Sequence, residues 1–177
     1  MSDPTAFDLQ PQGNPRNPFT RRVTGYTSHG GHKLDYPFIT EVAPNLYQGG
    51  VETGLLLPDI IKHVVSLYPW ERYDQKHETL SYTTVRMLDS LDQDFDQIEL
   101  LAQWVNLCRK TGPVLVHCQA GLNRSSLVVG AALWLNDDLA PSTTPRAIVD
   151  HMRATRSPAV LCNPAFEEWV LKIPRNY

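Results

Sequence analysis

The chain has 177 residues, 42% of them hydrophobic, with a formal net charge of -3 and a pI near 6.0. That length suits one domain with a real core, and the slight acidity excludes a general affinity for nucleic acid or anionic membrane while leaving room for local basic patches. Three cysteines, at 108, 118 and 162, are too few and odd in number for a disulfide framework, so a reduced, cytoplasmic setting is expected.

No apolar run reaches transmembrane length, and Met1-Ser2-Asp3-Pro4 does not open a secretory signal. Residues 1–35 are rich in Pro, Gly, Asn, Arg and Thr, with few aliphatic residues and no period. They are expected to form an irregular N-terminal arm. His29 and His32 have a spacing that could chelate a metal. No other soft ligand lies nearby in sequence, so both are expected as solvated loop residues.

The domain proper is expected over residues 36–177. Phe38–Val42 and Asn45–Gln48 suit two short strands with a turn between them, and Lys62–Leu67 and Ser81–Leu88 are β-branched runs that suit two more. A helix is expected from about Phe95 to Lys110, with Ile98, Leu101, Val105 and Cys108 on one face and Asp94 with Gln97 as its cap. Thr111-Gly112-Pro113 stops it. Val114–His117 is short and apolar enough for a buried strand, and a helix follows from Ser125 to about Asn136. Two further helices begin at Pro145 and Pro164, each proline at the first helical position. This order implies an α/β fold with a central, mostly parallel sheet flanked by helices.

The chemistry concentrates in His117-Cys118-Gln119-Ala120-Gly121-Leu122-Asn123-Arg124-Ser125. A buried strand ends, a short loop follows and a helix starts, which aims backbone N–H groups and a helix N-terminus at one point in space. Such a nest holds a phosphate-sized dianion. Gly121 permits the turn, and Arg124 offers a planar fork that matches two phosphate oxygens. An ordinary thiol titrates near 8.5, and a helix N-terminus or nearby cations bring such groups down to about 3.5–7.5. The field that binds phosphate is therefore expected to activate Cys118 as the attacking sulfur. His117 is expected to brace the loop through its backbone, and Ser125 to donate a hydrogen bond to the sulfur as it departs.

The run His-Cys-five residues-Arg-Ser between strand and helix resembles the protein tyrosine phosphatase superfamily, and the small size resembles its dual-specificity branch. Val42-Ala43-Pro44-Asn45-Leu46-Tyr47-Gln48-Gly49-Gly50 resembles that branch's opening strand and turn. Arg153-Ala154-Thr155-Arg156-Ser157-Pro158 with Asn163-Pro164-Ala165-Phe166 resembles its closing segment. The likeness spans about residues 38–173. It implies a metal-free enzyme without cofactors that works through a phosphocysteine intermediate, with Cys118 as nucleophile, Arg124 as phosphate binder and Ser125 as the hydroxyl that aids thiolate departure. Gln119, Ala120, Gly121, Leu122 and Asn123 would line the phosphate through their amides. Asn123 departs from the small hydroxyl residue many members carry before the arginine, but its amide still serves.

Transfer to sulfur also needs a proton for the departing oxygen, and the family keeps an aspartic acid for it after the preceding strand. Asp89, directly after the expected strand, is preferred on geometry and Asp92 stands second. Asp94 is better used as a helix cap, and Asp96 falls in the helix's first turn. Trp70, Tyr73 and Trp104 could form a substrate lip or pack in the core, with packing the simpler use. Arg72, Arg153 and Arg156 could meet substrate or simply lie on the surface.

The expected substrate is a protein phosphorylated on tyrosine or on serine/threonine. Rivals with the same mechanism are RNA 5′-phosphates and phosphoinositides. The uncharged stretch Gln119–Asn123 argues against a highly charged lipid headgroup, and Gly121-Leu122-Asn123-Arg124 resembles loops of the RNA branch. A non-catalytic phospho-binding module and a rhodanese-type sulfur carrier are disfavoured by the joint presence of cysteine, arginine, hydroxyl and aspartate. No membrane partner is expected, and the oligomeric state stays open.

Overall fold

The β-branched runs and the proline-started segments do become strands and helices, arranged around one central strand. The computed structural model describes residues 14–136 and 139–175. Its elements, in chain order, are β1 (Arg22–Tyr26), β2 (Lys33–Pro37), β3 (Ile39–Ala43), β4 (Leu46–Gly49), β5 (His63–Ser66) and β6 (Ser81–Thr84). Then follow α1 (Ile98–Arg109), β7 (Val114–His117), α2 (Arg124–Trp134), α3 (Pro145–Thr155) and α4 (Pro164–Lys172). Five strands form one sheet in the order β3-β4-β7-β5-β6. Strands β4, β7, β5 and β6 run parallel, and β3 joins the edge antiparallel to β4.

The most apolar short run lies in the middle of this sheet. All four residues of β7 are buried, as the absence of polar alternation requires when both faces are covered. Helix α2 leaves its carboxyl end, and all of its 11 residues are buried. It packs against α1, α3 and α4. A fully buried aliphatic side chain such as Leu127 or Leu115 contributes roughly 1.5–3 kcal/mol. The strand and the helix on either side of the loop are thus firmly packed. Thr144 and Asn163 cap α3 and α4, accepting from Ala147 N–H at 3.2 Å and Ala165 N–H at 3.1 Å.

Three expectations need correction. The expected irregular arm holds a regular antiparallel hairpin, β1 paired with β2 from Arg22↔Pro37 to Tyr26↔Lys33; residues 1–13 lie outside the described residues. Val23, Leu34 and Tyr36 are its buried side chains, a period too sparse to stand out in so polar a segment. Strand β6 ends at Thr84 rather than Leu88, after which Val85 N–H still donates to Ser66 O at 2.8 Å. Helix α1 starts at Ile98 rather than Phe95 because the Asp94 carboxylate accepts from Asp96 N–H at 3.0 Å, closing a local turn before the helix.

Candidate active site

Strand β7 delivers Cys118 to the carboxyl edge of the sheet, where the chain loops over Gln119–Asn123 into α2. Such an edge is where open α/β sheets place their ligands. Cys118 is buried, and its N–H donates to Gly49 O at 3.1 Å. Its sulfur accepts from Gly121 N–H at 3.2 Å and lies 3.4 Å from Ser125 Oγ, to which the thiol donates. The sulfur is therefore ringed by a backbone amide and a hydroxyl before any substrate arrives.

The loop's curvature comes from what grips its carbonyls. Gly121 O accepts from Arg156 Nε at 2.7 Å and from Gln48 Nε2 at 3.0 Å. Ala120 O accepts from Tyr36 Oη at 3.0 Å and from Arg156 Nη2 at 3.3 Å. With these two carbonyls drawn outward, the Gly121 N–H turns toward the sulfur. Gly121 adopts φ 73°, and a Cβ there would strike the Arg156 guanidinium and lie 2.5 Å from Gly49 C. No larger residue fits. Gly50 is required for space instead: a Cβ would lie 2.5 Å from Gln119 O.

Arg156 was expected at the surface or on substrate. It is instead buried behind the loop, also bonded to Pro37 O, Phe38 O and Thr40 Oγ1 at 2.9–3.2 Å and set 4.7 Å over the Tyr36 ring. Burial lowers its pKa to about 10, which leaves it charged at neutral pH. Gln48, fully buried in β4, reaches Ser125 Oγ at 3.4 Å and also bonds Ser126. Neither residue carries a local signal of this role, since the groups they join are far apart in sequence.

His117 is fully buried, with Nδ1 3.2 Å from Cys118 O and its ring edge-on to Tyr73 at 5.4 Å. Burial lowers its pKa to about 4. The ring is neutral at working pH and braces the loop backbone. It does not supply positive charge.

Arg124 opens α2. It is buried; its Nη1 donates to Met87 O at 3.3 Å, its guanidinium lies 5.1 Å from the centre of the Tyr68 ring, and its buried Nε has no hydrogen-bond partner among the described residues. An unpaired buried donor costs free energy unless a ligand supplies the acceptor. Asn123 sits at the N-cap yet does not cap α2, so the first-turn amides remain for an anion. Its side chain turns to Asp89 instead.

Asp89 lines the same cleft, of about 470 Å³, as Cys118, Asn123 and Arg124. Its Oδ2 accepts from Asn123 Nδ2 at 3.0 Å and its Oδ1 from Asn163 Nδ2 at 2.9 Å. Asn123 Oδ1 accepts in turn from Asn163 N–H at 2.9 Å. The segment that presents Asn163 turns through Leu161, which is buried at φ 57°, an unusual conformation for a bulky residue. Asp92 is exposed and does not line the cleft. The clamp on Asp89 is the part that sequence reasoning missed, because Asn123 was assigned only its backbone amide.

The other candidates divide. The hairpin expected as a loose arm forms one wall of the cleft through Val23, Thr24, Thr27 and Leu34. Glu52 and Glu71 contribute carboxylates to the lining. Trp70 is exposed, its ring centre 5.0 Å from that of Tyr68 and tilted 56° to it, with Arg86 5.3 Å over its face. Tyr73 is buried and bonds Gly50 O. Trp104 lies away from the cleft, donating to Thr83 Oγ1 at 3.1 Å. Arg72 stacks 4.4 Å over Tyr82, and Arg153 pairs with Glu167 at 3.2 Å. His29, expected in solvent, instead contacts Asp89.

Comparisons with known proteins agree with this geometry. A family model described as protein-tyrosine phosphatase matches residues 63–169. The dual specificity protein phosphatase OPG106 of vaccinia virus (strain Copenhagen) is 26% identical over 148 residues, covering 80% of this chain and 85% of its own. The solved structure of human DUSP28 superposes with a TM-score of 0.62 at 19% identity, covering 85% of this chain and 95% of that one. The structure of the tyrosine phosphatase OH1 from the Orf virus gives a TM-score of 0.57 at 21% identity, covering 76% and 84%.

Proposed function

This chain belongs to the protein-tyrosine phosphatase family and is a cysteine-based phosphatase of its dual-specificity branch, and on that premise we propose that Cys118 attacks the phosphoryl groups of phosphorylated proteins. Arg124 and the amides of Gln119 to Asn123 hold the phosphoryl oxygens. The Cys118 thiol first gives up its proton to solvent; the thiolate then attacks phosphorus, the bond to the substrate oxygen breaks, and Asp89 gives its proton to that oxygen. Water then attacks the phosphocysteine while the Asp89 carboxylate accepts its proton. The sulfur leaves as a thiolate that takes a hydrogen bond from Ser125, and inorganic phosphate departs. No step calls on a redox change.

The cleft lining carries the choice of a protein substrate. Around Cys118 and Arg124 it offers apolar side chains, Val23, Leu34 and Phe38, together with the carboxylates of Glu52 and Glu71. A peptide can rest on such a surface, whereas RNA or an inositol lipid would bring further phosphates toward Glu71 and toward Glu52, whose carboxylate is already engaged by Arg21 at 3.3 Å. The loop residues themselves add no cation beyond Arg124.

A substrate panel in excess chelator tests this. Phosphotyrosyl and phosphothreonyl peptides are expected to give kcat/KM at least about tenfold above 5′-triphosphate RNA or phosphoinositide micelles, a gap of about 1.4 kcal/mol in transition-state binding. RNA or lipid turning over faster than both peptides would overturn the substrate assignment. Binding without turnover of any of them would overturn the mechanism.

A further inference from the structure

The hairpin tip reaches the proposed acid. His29 lies in the turn between β1 and β2, before the point at residue 63 where the family match begins. Its Nε2 is 3.3 Å from Asp89 Oδ1, with the two side chains 23% and 25% exposed. The turn is tightly built. Thr27 N–H donates to His32 O at 2.9 Å, Thr27 Oγ1 donates to His29 O at 2.6 Å, and the same hydroxyl accepts from His32 N–H at 2.8 Å. The base of the hairpin is locked to the phosphate loop through Tyr36 and Arg156, which bond Ala120 O and Pro37 O. The framework that shapes the loop therefore also sets where His29 stands.

The partners of Asp89 divide unevenly between its two oxygens. Oδ1 meets both Asn163 Nδ2 at 2.9 Å and His29 Nε2 at 3.3 Å, whereas Oδ2 meets Asn123 Nδ2 at 3.0 Å. A carboxyl oxygen offers about two acceptor sites. Asn163 hydrogen-bonds to Oδ1 and the His29 ring stands 3.3 Å from the same oxygen, so Oδ1 is crowded, while Oδ2 accepts one hydrogen bond and keeps a site open for a proton. Resting on the assignment of Asp89 as the acid, we propose that His29 is a positioning residue for the reaction: it occupies Oδ1 and so makes Oδ2 the oxygen that carries the transferable proton. When the bond from phosphorus to the leaving oxygen breaks, that proton moves from Oδ2 to the leaving oxygen. The carboxylate left behind is held by His29 and the two asparagines. In the second step the attacking water returns a proton to Oδ2, and the cycle closes.

This role separates from a structural one by its dependence on the leaving group. With phenyl phosphate, whose leaving group needs protonation, Asp89→Ala is expected to lower kcat/KM, which reports the first phosphoryl transfer, about 10²-fold or more, and His29→Ala about tenfold through kcat rather than KM. With p-nitrophenyl phosphate the kcat/KM of His29→Ala falls far less, to within about twofold of the wild type, because that leaving group hardly needs the proton, while kcat can still fall through the second step. His29→Gln returns an N–H at similar reach and restores most of the phenyl phosphate rate. In an Asp89→Ala background His29→Ala has no further effect, since it acts only through Asp89. Losses that multiply in the double variant, a change confined to KM, or wild-type rates for His29→Ala on phenyl phosphate would each overturn the proposal. An Asp89→Ala variant indifferent to the leaving group would instead remove the acid assignment itself, and this inference with it.

Discussion

Cys118→Ser is expected to lower kcat by at least about 10⁴-fold while leaving the affinity for a phosphotyrosyl peptide within a few-fold of the wild type. The two halves of this prediction have different sources. Catalysis needs a polarisable sulfur that attacks phosphorus and later departs; a serine alkoxide is formed less easily and, once phosphorylated, is a poor leaving group. Binding depends on the loop amides and Arg124, which the substitution leaves in place. Serine is smaller than cysteine at a buried position and can accept the Gly121 N–H that now points at the sulfur, so the loop keeps its curve. Stopped assays with phosphotyrosyl peptide and calorimetric titration of the inactive protein measure the two halves separately. Turnover retained within about a hundredfold would contradict the role of the sulfur.

Arg124→Ala damages both halves at once. Its guanidinium is buried against Tyr68, tied by one nitrogen to Met87 O, and carries a buried Nε without a partner among the described residues. The arginine is thus held in place before substrate binds. Charge that spreads over the equatorial oxygens in the transition state is stabilised by a planar, preset donor pair, and loss of an arginine in such a role costs about 10³-fold or more. That corresponds to about 4 kcal/mol. Arg124→Lys restores the charge without the fork, so it is expected to recover only about tenfold of the loss. Steady-state kinetics on the two variants, with inorganic phosphate as a competing ligand, measures both effects. A fall in kcat/KM of less than about tenfold for Arg124→Ala would remove the clamp from the account.

What the sequence made legible was whatever is local. Val114–His117 is a four-residue apolar run that only a buried strand accommodates, and a loop with Gly121 leads from it to a helix, so the nest and its two main residues could be placed at once. Proline at 145 and 164 marked two helix starts to the residue. Asp89 stands out in the sequence as the residue that directly follows the expected strand Ser81–Leu88. Strand β6 in fact ends at Thr84, and an extended segment, held by Val85 N–H on Ser66 O and by Met87 O on Arg124, carries the chain on to Asp89.

What stayed hidden depends on partners distant in the chain. Arg156 looked like a surface charge because the five acceptors that surround it belong to residues 37–40 and 120–121. The hairpin looked irregular because only Val23, Leu34 and Tyr36 face inward, and its worth lies in Tyr36 reaching Ala120 and His29 reaching Asp89. Asn123 looked like a neutral substitution in the loop because its amide serves the nest whatever its side chain does. Local periodicity cannot report a side chain whose partners Asp89 and Asn163 are 34 and 40 residues away.

The phosphocysteine itself gives the most direct test. Wild-type enzyme mixed with a phosphotyrosyl peptide and quenched in acid within the first turnover should carry a phosphoryl group on the peptide containing Cys118, seen by mass spectrometry and absent from Cys118→Ser. Full turnover with no phosphoryl group on that peptide, or with the group on another residue, would contradict the account.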